Sequence, residues 1–590
     1  MPASPDLPHL PVSPLEDTCR RYLDQLEPLL SPEAFDRTRA VVDDFLSTEG
    51  SALHQALLAF GQQAGRQGKS WLIDTWLRGY LAGREPLPLA SNVGFRLRSG
   101  GHSLADWISA LAGVCADYRH GRILPPLSPR GEPGCMAQWA ILRGASRIPR
   151  PHVDDYFIHP TGGRHIGLFH QGHYYRLAAL DRHHEAEPAE RVSAAIRRIL
   201  GDDTGPNPWP VGVPSFLPRE EAARVYARLG ATPVNLRLLR HMAKDLFHVV
   251  IVDEALDEDT DLCRATFAPD QSFWCHKPIT LHYNLATSRL HLHSEHTAQD
   301  GGMLQAAIRL AQQKLPATPV LRALTPSIPA DIPTCTTSAP GPDLCRHDWQ
   351  PDDGLKAQWP GWHRDYATRA TRMRVRSLRI PFGQHAVPKG ISHDALMQFL
   401  LQYAQLATWS KIRNTYEAVD VSHFQQGRTE CVRPVSRESV AFVQAWLQHG
   451  LDAGQHGLFR AALDEHKARI RACKQGLGPN RQLLGLQQMA DRQNLPTPAL
   501  QADEGYRVFT TDFLSTSTIG DDSISPSIAF APTSAGGLGI NYTLTEAGWL
   551  FTISHLAGQT PDVQRFVQTL QEGGRALLAF VNGQFAQPFR

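Results

Sequence analysis

Along residues 278–296, "PITLHYNLATSRLHLHSEH", apolar and polar side chains alternate on both sides of a turn-like "NLATSR". A period of two predicts a β-hairpin. Leu290 and Leu292 share one face of its second strand, and His291 and His293 share the other, which reads as a half-exposed face. If the strand runs on, His296 takes the parity of Leu290. In "TAQDGGMLQAAIRLAQQKL" (297–315) the period changes: Met303, Ala307, Leu310 and Lys314 fall at helical spacing, with Leu304, Ile308, Ala311 and Leu315 beside them. The pattern predicts a helix entered through a turn at Asp300 and the two glycines.

Other stretches read in the same way. "SPEAFDRTRAVVDDFL" (31–46) predicts a helix with Ser31 as N-cap, Pro32 in its first position and Glu33 in its first turn. "ALHQALLAFGQQ" continues as a second helix, and "PREEAARVYARLG" (218–230) as another, ending at Gly230. "HIGLFHQGHYYRLAAL" predicts a hairpin turning at Gln171-Gly172. "LFHVVIVDEAL" is apolar on both parities, as in a strand buried on both faces. Mixed helices and strands argue for an α/β (α+β) protein. A stretch rich in Pro, Ser and Thr (315–354) reads as a linker or surface excursion containing a domain boundary.

Composition narrows the function classes. The 590 residues are 42% hydrophobic and 20% charged, with a formal net charge of +1. This is the make-up of a soluble globular protein, with no global field for nucleic acid or an anionic membrane. No window approaches an 18-residue apolar span, and the N-terminus lacks the pattern of a signal peptide. Nine cysteines are scattered without a CxxC pair, a poor framework for disulfides or zinc. A reducing, cytoplasmic setting is expected.

The chemistry centres on "LHLHSEHTAQDGG" (290–302). A metal cage of His291, His293 and His296 needs its ligands on one side at about 2 Å from the ion. The strand parities separate them. His296, with Asp300 four residues on, suits a general base whose carboxylate partner fixes the tautomer and leaves the other nitrogen to take a proton. Taken alone, the pair also reads as a structural contact.

Collinear stretches change that balance. "LPHLPVSPLEDTCRRYLDQLEPLL", "TWLRGYLAGREPLPLASN", "CMAQWAILRGASRIPRP", "HIGLFHQGHYYRL", "SEHTAQDGG", "TYEAVDVSHFQQGRTECVRP", "NRQLLGLQ", "LSTSTI" and "FAPTSAGGLGINYTLTEAGWLFTIS" together resemble the carnitine/choline O-acyltransferase family, over residues 8–588. The resemblance implies two domains like chloramphenicol acetyltransferase, each a mixed sheet with flanking helices, and an active-site tunnel between them. Residues 71–345 would form the first, and 1–70 plus 346–590 the second. It implies that His296 is the general base and Asp300 its orienting acid. It also implies that Ser517, the last serine of Ser515-Thr516-Ser517, helps hold the oxyanion.

On the acceptor side, the resemblance gives Tyr416, Thr429 and Arg481 to a carnitine carboxylate, with Ser515 assisting. On the coenzyme A side, the family's two lysines correspond to Gln384 and Lys389 in "FGQHAVPK", with Asp394 nearby. Gln384 therefore removes one cation from the phosphate contact, and a carrier-protein thioester becomes an alternative donor. Ala90, Ala418, Cys431 and Pro434 also depart from the family pattern, so another amino alcohol or hydroxyl is an alternative acceptor. Ile528 in "SPSIAFAP" is expected to plug the acyl tunnel, favouring short or medium chains. The implied enzyme acts as a monomer on acyl-CoA and a carnitine-like molecule, without a metal or bound cofactor. The opposed readings are a non-catalytic ligand-binding relative and a metal-dependent hydrolase.

Overall fold

The computed structural model describes residues 7–127, 131–319, 324, 332–335, 343–385 and 387–584. The fold is mixed α/β, built on two large sheets. The first has eight strands in the spatial order Ser527–Phe530, Val93–Leu97, Arg289–Ser294, Thr280–Asn284, His248–Val252, His165–His170, His173–Ala178 and Leu344–Arg346. His248–Val252 lies between two parallel neighbours, which explains its unbroken apolar run. The predicted hairpin turns at Gln171 and Gly172, both with positive φ (49° and 80°), as a two-residue hairpin turn requires.

Alternate residues of this sheet feed two cores. Leu168, Val249 and Ile251 pack with Leu304 and Ile308, while Phe169, Tyr174 and Val250 pack with Leu239, Trp359 and Tyr366. Helix Asp353–Ala370 thus belongs to the first sheet's core, beyond the boundary expected at 345/346. Its aromatic stripe of Trp359, Trp362 and Tyr366 finds its apolar partners there. Much of the predicted linker lies outside the described residues. Where it is described, Cys335 and Cys345 form a disulfide, with Cα atoms 5.4 Å apart. That corrects the reading of the cysteines as a poor disulfide framework: a short return of the chain brings two of them together.

The second sheet has six strands in the order Met373–Pro381, Gly548–Leu556, Leu538–Thr545, Leu514–Ser517, Thr415–Asp420 and Thr429–Val432. Its core takes in helices His393–Trp409 and Thr560–Gln584. The N-terminal helices pack with Leu483, Leu486 and Met489 of helix Pro479–Arg492. Ser31 Oγ accepts from Ala34 N at 3.3 Å, as the capping pattern predicts. Strand Ser527–Phe530 crosses from the second half into the first sheet and pairs with Val93–Leu97. Among the described residues, no helix is long and apolar enough to cross a membrane.

The histidine face of the hairpin is not half-exposed. His291 is 1% and His293 0% accessible. Helix Glu258–Phe267 and Phe273 cover that face; the Phe273 ring lies 4.9 Å from His293.

Candidate active site

His296 sits two residues past strand Arg289–Ser294, where the chain turns toward helix Gly301–Lys314. Its ring is half-buried. His293 is tied to Asn92 (2.9 Å) and the Ala265 carbonyl (3.1 Å), so the histidines of the cluster face different partners. Tyr80 Oη lies 3.4 Å from His296 Nδ1, and the two rings are near-parallel at 5.9 Å. Burial lowers the His296 pKa below the usual histidine range. Asp300 opposes that shift and Arg428 adds to it. The imidazole is therefore neutral at neutral pH, the state a proton acceptor needs.

The Asp300 carboxylate does not fold back onto the imidazole in the expected way. It accepts from Arg428 Nε (2.7 Å), Arg428 Nη2 (3.0 Å) and Gln138 Nε2 (3.0 Å). Burial alone would raise its pKa, but the Arg428 guanidinium outweighs burial and holds it below the usual range. Arg428 also donates to the carbonyls of Thr297 (2.8 Å), Gln299 (3.3 Å) and His296 (3.4 Å). One arginine of the second half thus grips the whole turn that carries His296. Asp300 acts on the imidazole through charge and through that grip.

Tyr416, Thr429 and Arg481 come together. Arg481 Nε donates to the Thr429 carbonyl (2.8 Å), and Nη2 to Tyr416 Oη (3.2 Å) and Thr429 Oγ1 (3.4 Å). The guanidinium lies 4.3 Å from the centroid of Trp76, and that of Arg428 lies 5.5 Å from the same ring. Helix Ile73–Ala82 carries both Trp76 and Tyr80, so one helix turn lies between the imidazole and the Arg481 guanidinium. Arg481 is in the first turn of helix Pro479–Arg492, where the helix dipole disfavours a cation. Glu430, 3.9 Å away, offsets part of that cost. The helix is capped by Gly478, where any Cβ would fall 2.5 Å from Glu430. An anionic group brought to this corner meets both the guanidinium and the positive helix end.

The Ser-Thr-Ser strand runs parallel to strand Thr415–Asp420, with Ser515 opposite Tyr416. Thr516 Oγ1 donates to the Tyr416 carbonyl at 2.7 Å, locking the two together. Asn541 Nδ2 donates to the Ser517 carbonyl (3.0 Å), and Asn541 Oδ1 accepts from Ile528 N (3.0 Å). Ile528, 3% exposed, is thereby tied to the Ser517 strand through one amide.

The donor-side residues separate. Gln384 and Lys389 are exposed. Asp394 turns its carboxylate inward, accepting from Tyr542 Oη (2.8 Å) and pairing with His466 Nε2 (2.8 Å). Tyr542 also reaches Glu417 (2.8 Å), and Gln398 joins Glu417 (3.1 Å) to Thr516 (3.0 Å). Burial, with the Asp394 charge added, raises the Glu417 pKa well above the usual range, so that pair holds a proton between them. Asp394, Glu417 and His466 place donor atoms within 4.8 Å of one another, a spacing that suits a metal ion. Asp394 is already engaged with His466 and Tyr542, and Glu417 with Tyr542 and Gln398.

Sequence reasoning missed Trp76, Tyr80, Gln138 and Arg428. All four lie inside stretches that carry the family resemblance. Arg428 immediately precedes Thr429, but its partner Asp300 is 128 residues away. No local pattern exposes such a pair.

The chain is 26% identical to carnitine O-palmitoyltransferase 2, mitochondrial, of Rattus norvegicus, over 96% of this chain and 90% of that protein. It is 24% identical to carnitine O-acetyltransferase of the same species, over 93% and 89%. It is 25% identical to a putative acetyltransferase of Mycoplasma pneumoniae, over 93% and 90%. Among solved structures, a wax ester synthase/diacylglycerol acyltransferase from Marinobacter aquaeolei VT8 aligns over 87% of this chain and 99% of that one, with a TM-score of 0.37 and 12% identity. The family model for Choline/Carnitine o-acyltransferase matches residues 10–572, and the chain belongs to that family of O-acyltransferases.

Proposed function

We propose that this enzyme moves a short or medium acyl group between coenzyme A and the hydroxyl of carnitine or a carnitine-like amino alcohol. His296 takes the proton from the acceptor hydroxyl as its oxygen attacks the thioester carbonyl. The C–S bond breaks as the tetrahedral centre collapses, and the imidazolium returns its proton to the leaving thiolate. Ser517 donates to the oxyanion. Tyr416, Thr429 and Arg481, with Ser515, hold the acceptor carboxylate. The observation that carries the reading is the single helix turn, Trp76 to Tyr80, set between the neutral imidazole and the Arg481 guanidinium.

The test is a matrix of thioesters against acceptors: acyl-CoA and acyl-carrier-protein thioesters of graded chain length, each with carnitine, choline and other hydroxyls. Acyl-CoA with carnitine should give the highest kcat/KM. Preference for the carrier thioester would replace the donor, and preference for choline would displace the carboxylate site. The rival donor draws its support from exposed Gln384, which leaves Lys389 as one cation where the family pattern has two.

Two substitutions probe the assignments. Arg481→Ala removes charged hydrogen bonds of about 1.5–3 kcal/mol in all. The carnitine KM should therefore rise by about 10–150-fold, while the KM for acyl-CoA stays within about twofold. Ile528→Gly should raise the long-to-short chain ratio of kcat/KM by about tenfold or more. An unchanged ratio would remove Ile528 from the acyl pocket.

The pH dependence has a definite sign. A general base works when unprotonated, so activity falls on the acid side through the His296 pKa, which lies below the usual value of about 6.5. Asp300 supports the imidazolium. Asp300→Asn should therefore move the acid limb to still lower pH while reducing kcat, and a limb moving upward would contradict the electrostatics described.

A further inference from the structure

Away from this junction, a cavity of about 560 Å³ opens on the second half. Trp409 and Phe513 meet edge to face at 5.2 Å in its wall, and the Arg413 guanidinium lies 4.2 Å from the Phe513 centroid. Lys411 and Arg507 are exposed at its rim. Against three cations, of which Arg507 is paired with Glu504 (3.4 Å), stands one lining carboxylate, Asp562, which is paired with Arg565.

Two polar atoms here have no hydrogen-bond partner among the described residues: Arg413 Nη1, a donor, and Asn414 Oδ1, an acceptor. Asn414 is only 3% exposed. Its amide is fixed, because Nδ2 donates to the carbonyls of Phe509 (2.7 Å) and Val508 (3.2 Å). Burying such groups unpaired is costly. Both atoms are closed off from water, so what the cavity offers an incoming molecule is its aromatic wall and the positive charge of Lys411, Arg413 and Arg507.

We propose that this cavity is a binding site for a small organic anion with an apolar body. The cavity also lies at the roots of two functional strands. The Asn414 carbonyl accepts from Phe513 N (3.0 Å) and Leu514 N (3.3 Å). Tyr416 lies two residues beyond Asn414, and Ser515 two beyond Phe513. Occupancy therefore bears on the acceptor groups and shifts the acceptor KM. This second part rests on the acyltransfer reading; the binding itself does not.

The test uses 1-anilinonaphthalene-8-sulfonate, an aromatic anion with an N–H donor, titrated by fluorescence into the full chain with coenzyme A and carnitine saturating. One saturable site is expected. Arg413→Gln, and separately the surface pair Lys411→Glu/Arg507→Glu, should weaken it at least tenfold. The probe should also change the carnitine KM at least twofold in the unmodified enzyme and not in the Lys411→Glu/Arg507→Glu form. Equal affinity in both variants, or saturable binding seen only when coenzyme A and carnitine are left out, would overturn the site. Saturable binding with an unmoved KM would overturn the coupling. If no thioester supports transfer, the titration still decides the site.

Discussion

Replacing His296 with alanine should lower kcat by about 10²–10⁴-fold, the range for removal of a positioned general base. The KM for acyl-CoA should stay within about twofold. The acceptor proton then has no nearby acceptor, while Arg481, Tyr416 and Thr429 still hold one another as before. The loss should therefore fall on kcat rather than on binding, as for an interaction made only in the transition state. Tyr80, the ring nearest to Nδ1, cannot take over. Burial pushes its pKa well above the usual tyrosine range, so it stays protonated at any working pH. Thiol release from acyl-CoA, followed with and without carnitine, measures the effect. A variant within tenfold of the unmodified enzyme would mean that another group removes the proton.

The second large effect is on folding. Arg428→Leu leaves the Asp300 carboxylate buried with Gln138 as its remaining donor, and frees the carbonyls of His296, Thr297 and Gln299. Breaking a buried pair from one side costs about 3–5 kcal/mol. A lower urea midpoint with an unchanged slope should report it. The double variant Arg428→Leu/Asp300→Leu removes both charges. Buried pairs replaced by apolar groups of similar volume are often near neutral, so it should recover most of the stability. It should not recover kcat, because the grip on the turn and the charge that supports the imidazolium are both gone. If the double variant regains full activity, the clamp is structural only.

The parts of this protein that follow from local pattern were legible in the chain. The Gln171-Gly172 hairpin, the twice-flanked strand His248–Val252 and the capped helix Pro32–Ser47 each express a periodicity or a turn chemistry confined to a few residues. His296 stood out as a candidate for a different reason: its motif is short, and the family stretches around it are collinear. What stayed hidden depends on what covers a residue. His291 and His293 alternate as an exposed face would, yet Phe273 and a helix close over them. Asp394 sits in a surface-like "SHD" but turns beneath the sheet to Tyr542 and His466. The Asp300–Arg428 pair joins the two halves of the chain. Helix Asp353–Ala370 follows a proline-rich stretch that reads as a boundary, yet its tryptophans belong to the first core.

These cases share one physical cause. Period and capping are set by neighbours in sequence, whereas burial and charge pairing are set by neighbours in space. The site is built mostly from the second kind. The helix turn at Trp76–Tyr80, the arginine beside Thr429 and the histidine after the hairpin are each unremarkable locally, and they become a candidate site when packing sets the arginines over Trp76 and the imidazole on Tyr80.

The most direct measurement is the pH dependence of carnitine-dependent thiol release in the unmodified enzyme and in His296→Ala. The unmodified enzyme should show an acid limb below about pH 6.5. In His296→Ala the residual rate should have lost that limb. A variant that keeps both the limb and the rate would contradict the assignment of His296 as the base.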